Sequence, residues 1–69
     1  MIELYGTSGR YALFSDGGRG VVVDTWMNMI EDVGLLSDLL VLQPWSSSDD
    51  QSSVEAVHVE LASGALGDL

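Results

Sequence analysis

The sequence predicts an α+β domain: an antiparallel or mixed sheet of about five strands with one helix packed on a face, in the order β-β-β-α-β-β. Three patterns carry that expectation. Short apolar runs alternate with glycine-rich turns over the first 23 residues; Trp26, Met29, Ile30 and Val33 follow the i, i+3, i+4, i+7 spacing of a helix; and residues 54–61 alternate with a period of two.

In chain order, Ile2 and Leu4 alternate with Glu3 and Tyr5, Gly6, Thr7, Ser8 and Gly9 supply a turn, and Arg10 to Phe14 resume an extended pattern. This predicts a β-hairpin. A second turn-rich stretch, Ser15, Asp16, Gly17, Gly18, Arg19 and Gly20, leads into Val21, Val22 and Val23. An unbroken β-branched run suits a central strand covered on both faces. Asp24 is placed to cap a helix that Gly34 ends, with Trp26, Met29, Ile30 and Val33 on its core face. Residues 38–44 are expected as a buried strand ending at Pro44, although LLSDLL also suits a short second helix. The polar segment 46–53 is expected as a solvated connection. Val54 to Leu61 is expected as a strand with Val57, Val59 and Leu61 on one face and Ala56, His58 and Glu60 on the other. Residues 62–69, with two glycines, are expected to form a loosely ordered end.

Sixty-nine residues make one domain, 1–69, and 46% apolar content argues for a folded chain. The absence of cysteine excludes disulfide staples, Cys-type zinc sites, iron–sulfur clusters and thiol nucleophiles. Eleven Asp and Glu against two Arg give a net charge of −9. Self-repulsion of that size weakens a small fold and makes nucleic acid and anionic membranes poor partners. The start, MIELYGTSGR, lacks the basic region and apolar stretch of a secretion signal, and the longest largely apolar stretch, Leu35 to Leu42, apolar except for Ser37 and Asp38, is too short to span a bilayer. A cytoplasmic monomer is expected.

No catalytic, cofactor or metal residues are assigned. SDGGRG at residues 15–20 is rich in glycine but lacks the lysine and the strand-to-helix context of a phosphate loop. His58 stands alone, with Glu60 as its one candidate neighbour, so a half-buried structural histidine is the simpler assignment. Asp49 and Asp50 lack the regular spacing of a calcium loop. Enzymatic activity is not expected, because so small a chain leaves little room for a substrate cleft. Met27 projects from the apolar helix face as an adaptable contact, and Trp45 suits either an interface or edge packing.

The acids remain to be explained, since a soluble domain normally intersperses both signs of charge. Glu31 and Asp32 fall in the last turn of the expected helix, where the dipole disfavours them. Carboxylates alternating on a strand lie about 6.6 Å apart, which approximates phosphate spacing. In size, acid excess, lack of cysteine and mixed architecture, across the whole chain and without a shared motif, the sequence resembles the small acidic phage-borne anti-CRISPR proteins that imitate DNA. The resemblance implies an inhibitor that occupies the basic channel where a CRISPR surveillance complex takes in target DNA. Glu31, Asp32, Asp38, Asp49, Asp50 and Glu55 are the expected partner-binding residues, facing Arg and Lys on a basic DNA-binding surface of an effector subunit. The alternative is a housekeeping domain of a salt-loving organism with no specific basic partner; a small enzyme or metal protein is a third reading.

Overall fold

The computed structural model describes residues 2–46 and 54–67. Strands β1 (Glu3–Ser8), β2 (Tyr11–Asp16), β3 (Arg19–Asp24) and β4 (Met29–Leu35) form one antiparallel sheet in chain order, followed by helices α1 (Leu36–Leu39) and α2 (Ala56–Gly67). The α+β class therefore holds, with four strands instead of about five. Two-residue loops close the first two hairpins. Ser8 pairs with Tyr11 and Asp16 with Arg19, leaving Gly9 at φ 60° and Gly17 at φ 66° as the first loop residues. Glycine is suited to both places because a tight hairpin needs a positive φ that matches strand twist.

Val21, Val22 and Val23 occupy the interior strand that the sequence predicts. Val21 and Val23 join Ala12 and Phe14 under α2, whose Ala62 and Leu66 complete that cluster. Val22 points the other way and joins Leu13 beneath Leu39, with Leu36, Leu40 and Trp45 alongside. The sheet thus lies between α2 on one face and α1 with the chain to residue 46 on the other. Gly6 and Gly20 permit close approach on that second face: a Cβ on Gly6 would stand 2.5 Å from the Ser46 carbonyl oxygen, and one on Gly20 would stand 2.9 Å from Leu39 Cδ1. Ser46 forms an antiparallel bridge to Thr7, with both backbone hydrogen bonds at 2.9 Å, which closes part of the outer edge of β1.

Three expected elements take other forms. The helix expected from Asp24 to Gly34 is a four-residue turn, 25–28, followed by β4. Of its supposed core face, Ile30 does pack against the first core cluster, but Trp26, Met29 and Val33 are 75%, 49% and 40% exposed. The strand expected over residues 38–44 is largely replaced by α1 and the turns after it. The strand expected from Val54 to Leu61 is mostly α2, and the expected loose end supplies its second half, with Ala62 and Leu66 buried. His58, Leu61, Ala62, Ala65 and Leu66 form its inward stripe, a 3-1-3-1 spacing proper to one helix face. The molecule measures 28 × 24 × 20 Å.

Candidate interaction surface

One end of the sheet gathers the first hairpin loop, the 25–28 turn and the start of α2, and a continuous polar network joins them. Asp24, at the end of β3, is 2% exposed and pairs with Arg10. Arg10 Nε donates to Asp24 Oδ2 at 3.0 Å, and the Nη2 group donates to the same oxygen. Asp24 Oδ1 accepts the backbone N–H groups of Trp26 at 3.0 Å and Met27 at 3.1 Å. Asp24 does serve as a cap, as its sequence position suggests, but it caps a turn.

These contacts set the charges. The hydrogen bond from Arg10 holds the Asp24 carboxyl below its ordinary value of 3.8; burial opposes that shift, and the Met27 and Trp26 N–H groups reinforce it. The Asp24 hydrogen bond raises Arg10 against the cost of desolvation, with smaller contributions from the charges of Asp24, Tyr11 and Glu31. Arg10 also lies over two rings, 5.5 Å from the centre of Tyr11 and 5.3 Å from that of Trp26. The second contact restrains the indole on one side, while Trp26 stays three quarters exposed.

The turn is locked from its other side by α2. Asn28 adopts φ 55°, a left-handed conformation that asparagine tolerates better than most residues. Its Oδ1 accepts a hydrogen bond from His58 Nε2 at 2.8 Å, and the Thr25 carbonyl accepts from the same nitrogen at 3.2 Å. His58 Nδ1 accepts the Glu55 N–H at 2.9 Å. With its donor and acceptor roles assigned this way, His58 takes the part that Glu or Gln plays three residues into a capping box, covering the N–H of the residue before the helix. The histidine is therefore structural, as expected, but it is 1% exposed instead of half-buried, and it lies on a helix. Thr25 completes the circuit by donating its N–H and hydroxyl to the Arg10 carbonyl.

Of the expected partner-binding residues, Glu31 and Asp32 lie exposed on β4, the strand that ends the sheet, where Asp32 Oδ1 accepts the Val33 N–H at 2.9 Å. Asp38 is exposed on α1, next to the far end of β4, and Glu55 is exposed at the start of α2, beside the turn that opens β4. Glu31 and Asp32 lie on β4 itself, whereas Asp38 and Glu55 belong to helical segments that pack on opposite faces of the sheet. Asp49 and Asp50 lie outside the described residues. Glu3 is on the opposite edge strand, Asp16 closes a hairpin, and Glu60 is exposed on α2.

Met27 is 62% exposed, but on the 25–28 turn and not on a helix. Trp45 packs against the second core cluster and donates its indole N–H to the Leu39 carbonyl at 2.9 Å, which is edge packing. Sequence reasoning misses Arg10, Asp24, Asn28 and His58 as one network; the readable signal was an arginine and an aspartate flanking a strand pair, since a β2–β3 pairing sets Tyr11 opposite Asp24. An apolar recess of about 220 Å³ lies between Ile2, Leu4, Phe14, Val54 and Val59. Among the described residues no three His, Asp or Glu side chains converge to hold a metal ion, and no helix is long and apolar enough to cross a membrane. Comparison with protein-family models, curated proteins and solved structures finds no match to the chain.

Proposed function

We propose that this chain is an acidic binding module that imitates a nucleic-acid backbone and occupies a basic groove of a DNA-binding protein, such as the DNA entry channel of a CRISPR surveillance complex. The observation that supports this reading is the pair of exposed acids on the edge strand β4, Glu31 and Asp32, with the exposed acids Asp38 and Glu55 on the elements next to it. Arg10, one of only two cations in the chain, is engaged by Asp24. Seven strand residues span about 20 Å, a length over which one DNA strand carries about six phosphates. Glu31 and Asp32 fall within that length, and Asp38 and Glu55 lie on the elements next to it, on a scaffold that is ordered before it binds.

The test is displacement of a fluorescent target duplex from a purified surveillance complex. The protein is expected to compete, and reversing Glu31 and Asp32 together to lysine should weaken competition about tenfold or more, since charge reversal turns attraction into repulsion. Reversing Glu3 and Glu60 together removes the same net charge away from β4 and should cost much less. Equal losses from the two pairs, or no competition at low salt, would refute the reading.

A further inference from the structure

The exposed 25–28 turn is not explained by charge. Trp26 and Met27, 75% and 62% exposed, stand at its tip, with Met29 49% exposed just beyond. Solvent-facing tryptophan is uncommon on a surface without a contact to make, because the ring is large and apolar. The turn is also built to hold still: two backbone N–H groups bind Asp24, Asn28 binds His58, and Arg10 stacks against the indole. An anchor whose conformation is fixed beforehand loses little freedom on binding.

We propose that Trp26 is the anchor of the acidic surface and that its open side takes an arginine side chain of the partner protein. This rests on the acidic reading above and names its contact. The inner side of the indole already carries a guanidinium, that of Arg10, which demonstrates the chemistry the ring accepts. Arginine fits better than lysine because its planar, weakly hydrated head stacks on an aromatic face. Glu31 acts on the charge of Arg10, so it lies in the same electrostatic neighbourhood and supplies a carboxylate for a second cation. A second copy of this chain is disfavoured as occupant, since each copy brings −9 to the contact.

The experiment uses a hexa-arginine peptide as probe and follows the two indole N–H signals by ¹⁵N NMR in the full chain. Trp45 is the internal control, because its N–H is tied to the Leu39 carbonyl on the other face. The Trp26 signal is expected to shift saturably while Trp45 stays still, hexa-lysine should bind more weakly, and Trp26→Ala should weaken hexa-arginine binding about three- to tenfold. Trp26→Phe should recover part of the loss, and circular dichroism should show both variants folded, since the side chain is exposed. Unchanged affinity in Trp26→Ala, or equal shifts at both indoles, overturns the anchor. So does self-association on sedimentation that Trp26→Ala abolishes, or insertion of Trp26 into neutral lipid vesicles seen as a blue shift. The Glu31 and Asp32 reversal is run in parallel: if it abolishes binding while Trp26→Ala does not, the anchor fails and the acidic reading survives; the reverse pattern sinks the acidic reading alone.

Discussion

Gly6 and Gly34 sit on the two outer strands of the same sheet, yet alanine at the two positions should move stability in opposite directions. At Gly6 the new methyl would meet the Ser46 carbonyl oxygen at 2.5 Å, the Ser46 carbonyl carbon at 3.2 Å and Trp45 Cβ at 3.6 Å. Backbone cannot rotate aside as a side-chain tip can. The carbonyl must withdraw at least half an ångström to reach a tolerable 3.0 Å. That same oxygen accepts the Thr7 N–H at 2.9 Å, and the Ser46 N–H donates to Thr7 at 2.9 Å, so the withdrawal stretches both bonds past useful length. Two backbone hydrogen bonds at about 0.5–1.5 kcal/mol each give a loss of about 1–3 kcal/mol, and the reduced freedom of the unfolded chain returns about 0.4–1 kcal/mol. The net cost is about 1–2 kcal/mol in a domain whose whole margin is about 3–5 kcal/mol. At Gly34 a Cβ meets nothing within 4 Å, so only the unfolded-state gain remains. Urea denaturation should lower the midpoint of Gly6→Ala by about 1–2 M and raise that of Gly34→Ala by less than about 1 M, for a slope near 1 kcal/mol/M. Hydrogen exchange at Thr7 should quicken in the first variant alone. A Gly6→Ala midpoint at or above that of the parent, with Thr7 still protected, would refute the argument.

Other substitutions probe the network. His58→Leu fills the same space but leaves the Glu55 N–H, Asn28 and the Thr25 carbonyl short of a partner, and should cost about 1–3 kcal/mol in the same urea assay. At position 28, alanine meets both the left-handed backbone and the lost hydrogen bond, whereas glycine meets only the second; Asn28→Ala should therefore be less stable than Asn28→Gly, by about 1 kcal/mol. Asp24 sets an acid limb: its folded value lies below 3.8, so the stability it contributes is fully present above 3.8 and is lost as pH falls through the folded value. Thermal melts between pH 5 and 2 should show that decline in the parent and a flatter one in Asp24→Asn. Leu39→Ala opens the second core cluster where the Leu39 side chain roofs Gly20, and a loss of about 2–5 kcal/mol should leave the chain largely unfolded by circular dichroism.

The first three strands were legible because local chemistry and global packing agree there. Gly9 and Gly17 mark the loops, and the Val21 to Val23 run is wide enough to serve two cores. Residues 24–34 misled because an aspartate receiving N–H groups two and three residues ahead is common to helix starts and to tight turns, and Asp24 does so in either geometry. What decides the matter is pairing with β3, a long-range term invisible to local spacing: Ile30 lies opposite Val23 and Val33 opposite Val21. In α2 the valines favour a strand locally, but Val57 and Val59 are 39% and 38% exposed, and the helix is held by the stripe that runs past Leu61 into the supposed tail. The acids of the candidate surface were legible as residues; the place of Glu31 and Asp32 on an edge strand was not, because the segment bearing them was assigned to a helix.

A body of 28 × 24 × 20 Å is no wider than the distance over which ions in dilute solution leave a field unscreened, about 30 Å at 0.01 M, and about three times the 8 Å that holds at 0.15 M. In dilute buffer each carboxylate therefore senses every other through the whole particle; under cellular salt it senses only its immediate company. Ionic strength thus acts on this molecule as a control of range, turning nine surplus charges from one collective burden into a set of local patches that an incoming surface meets separately.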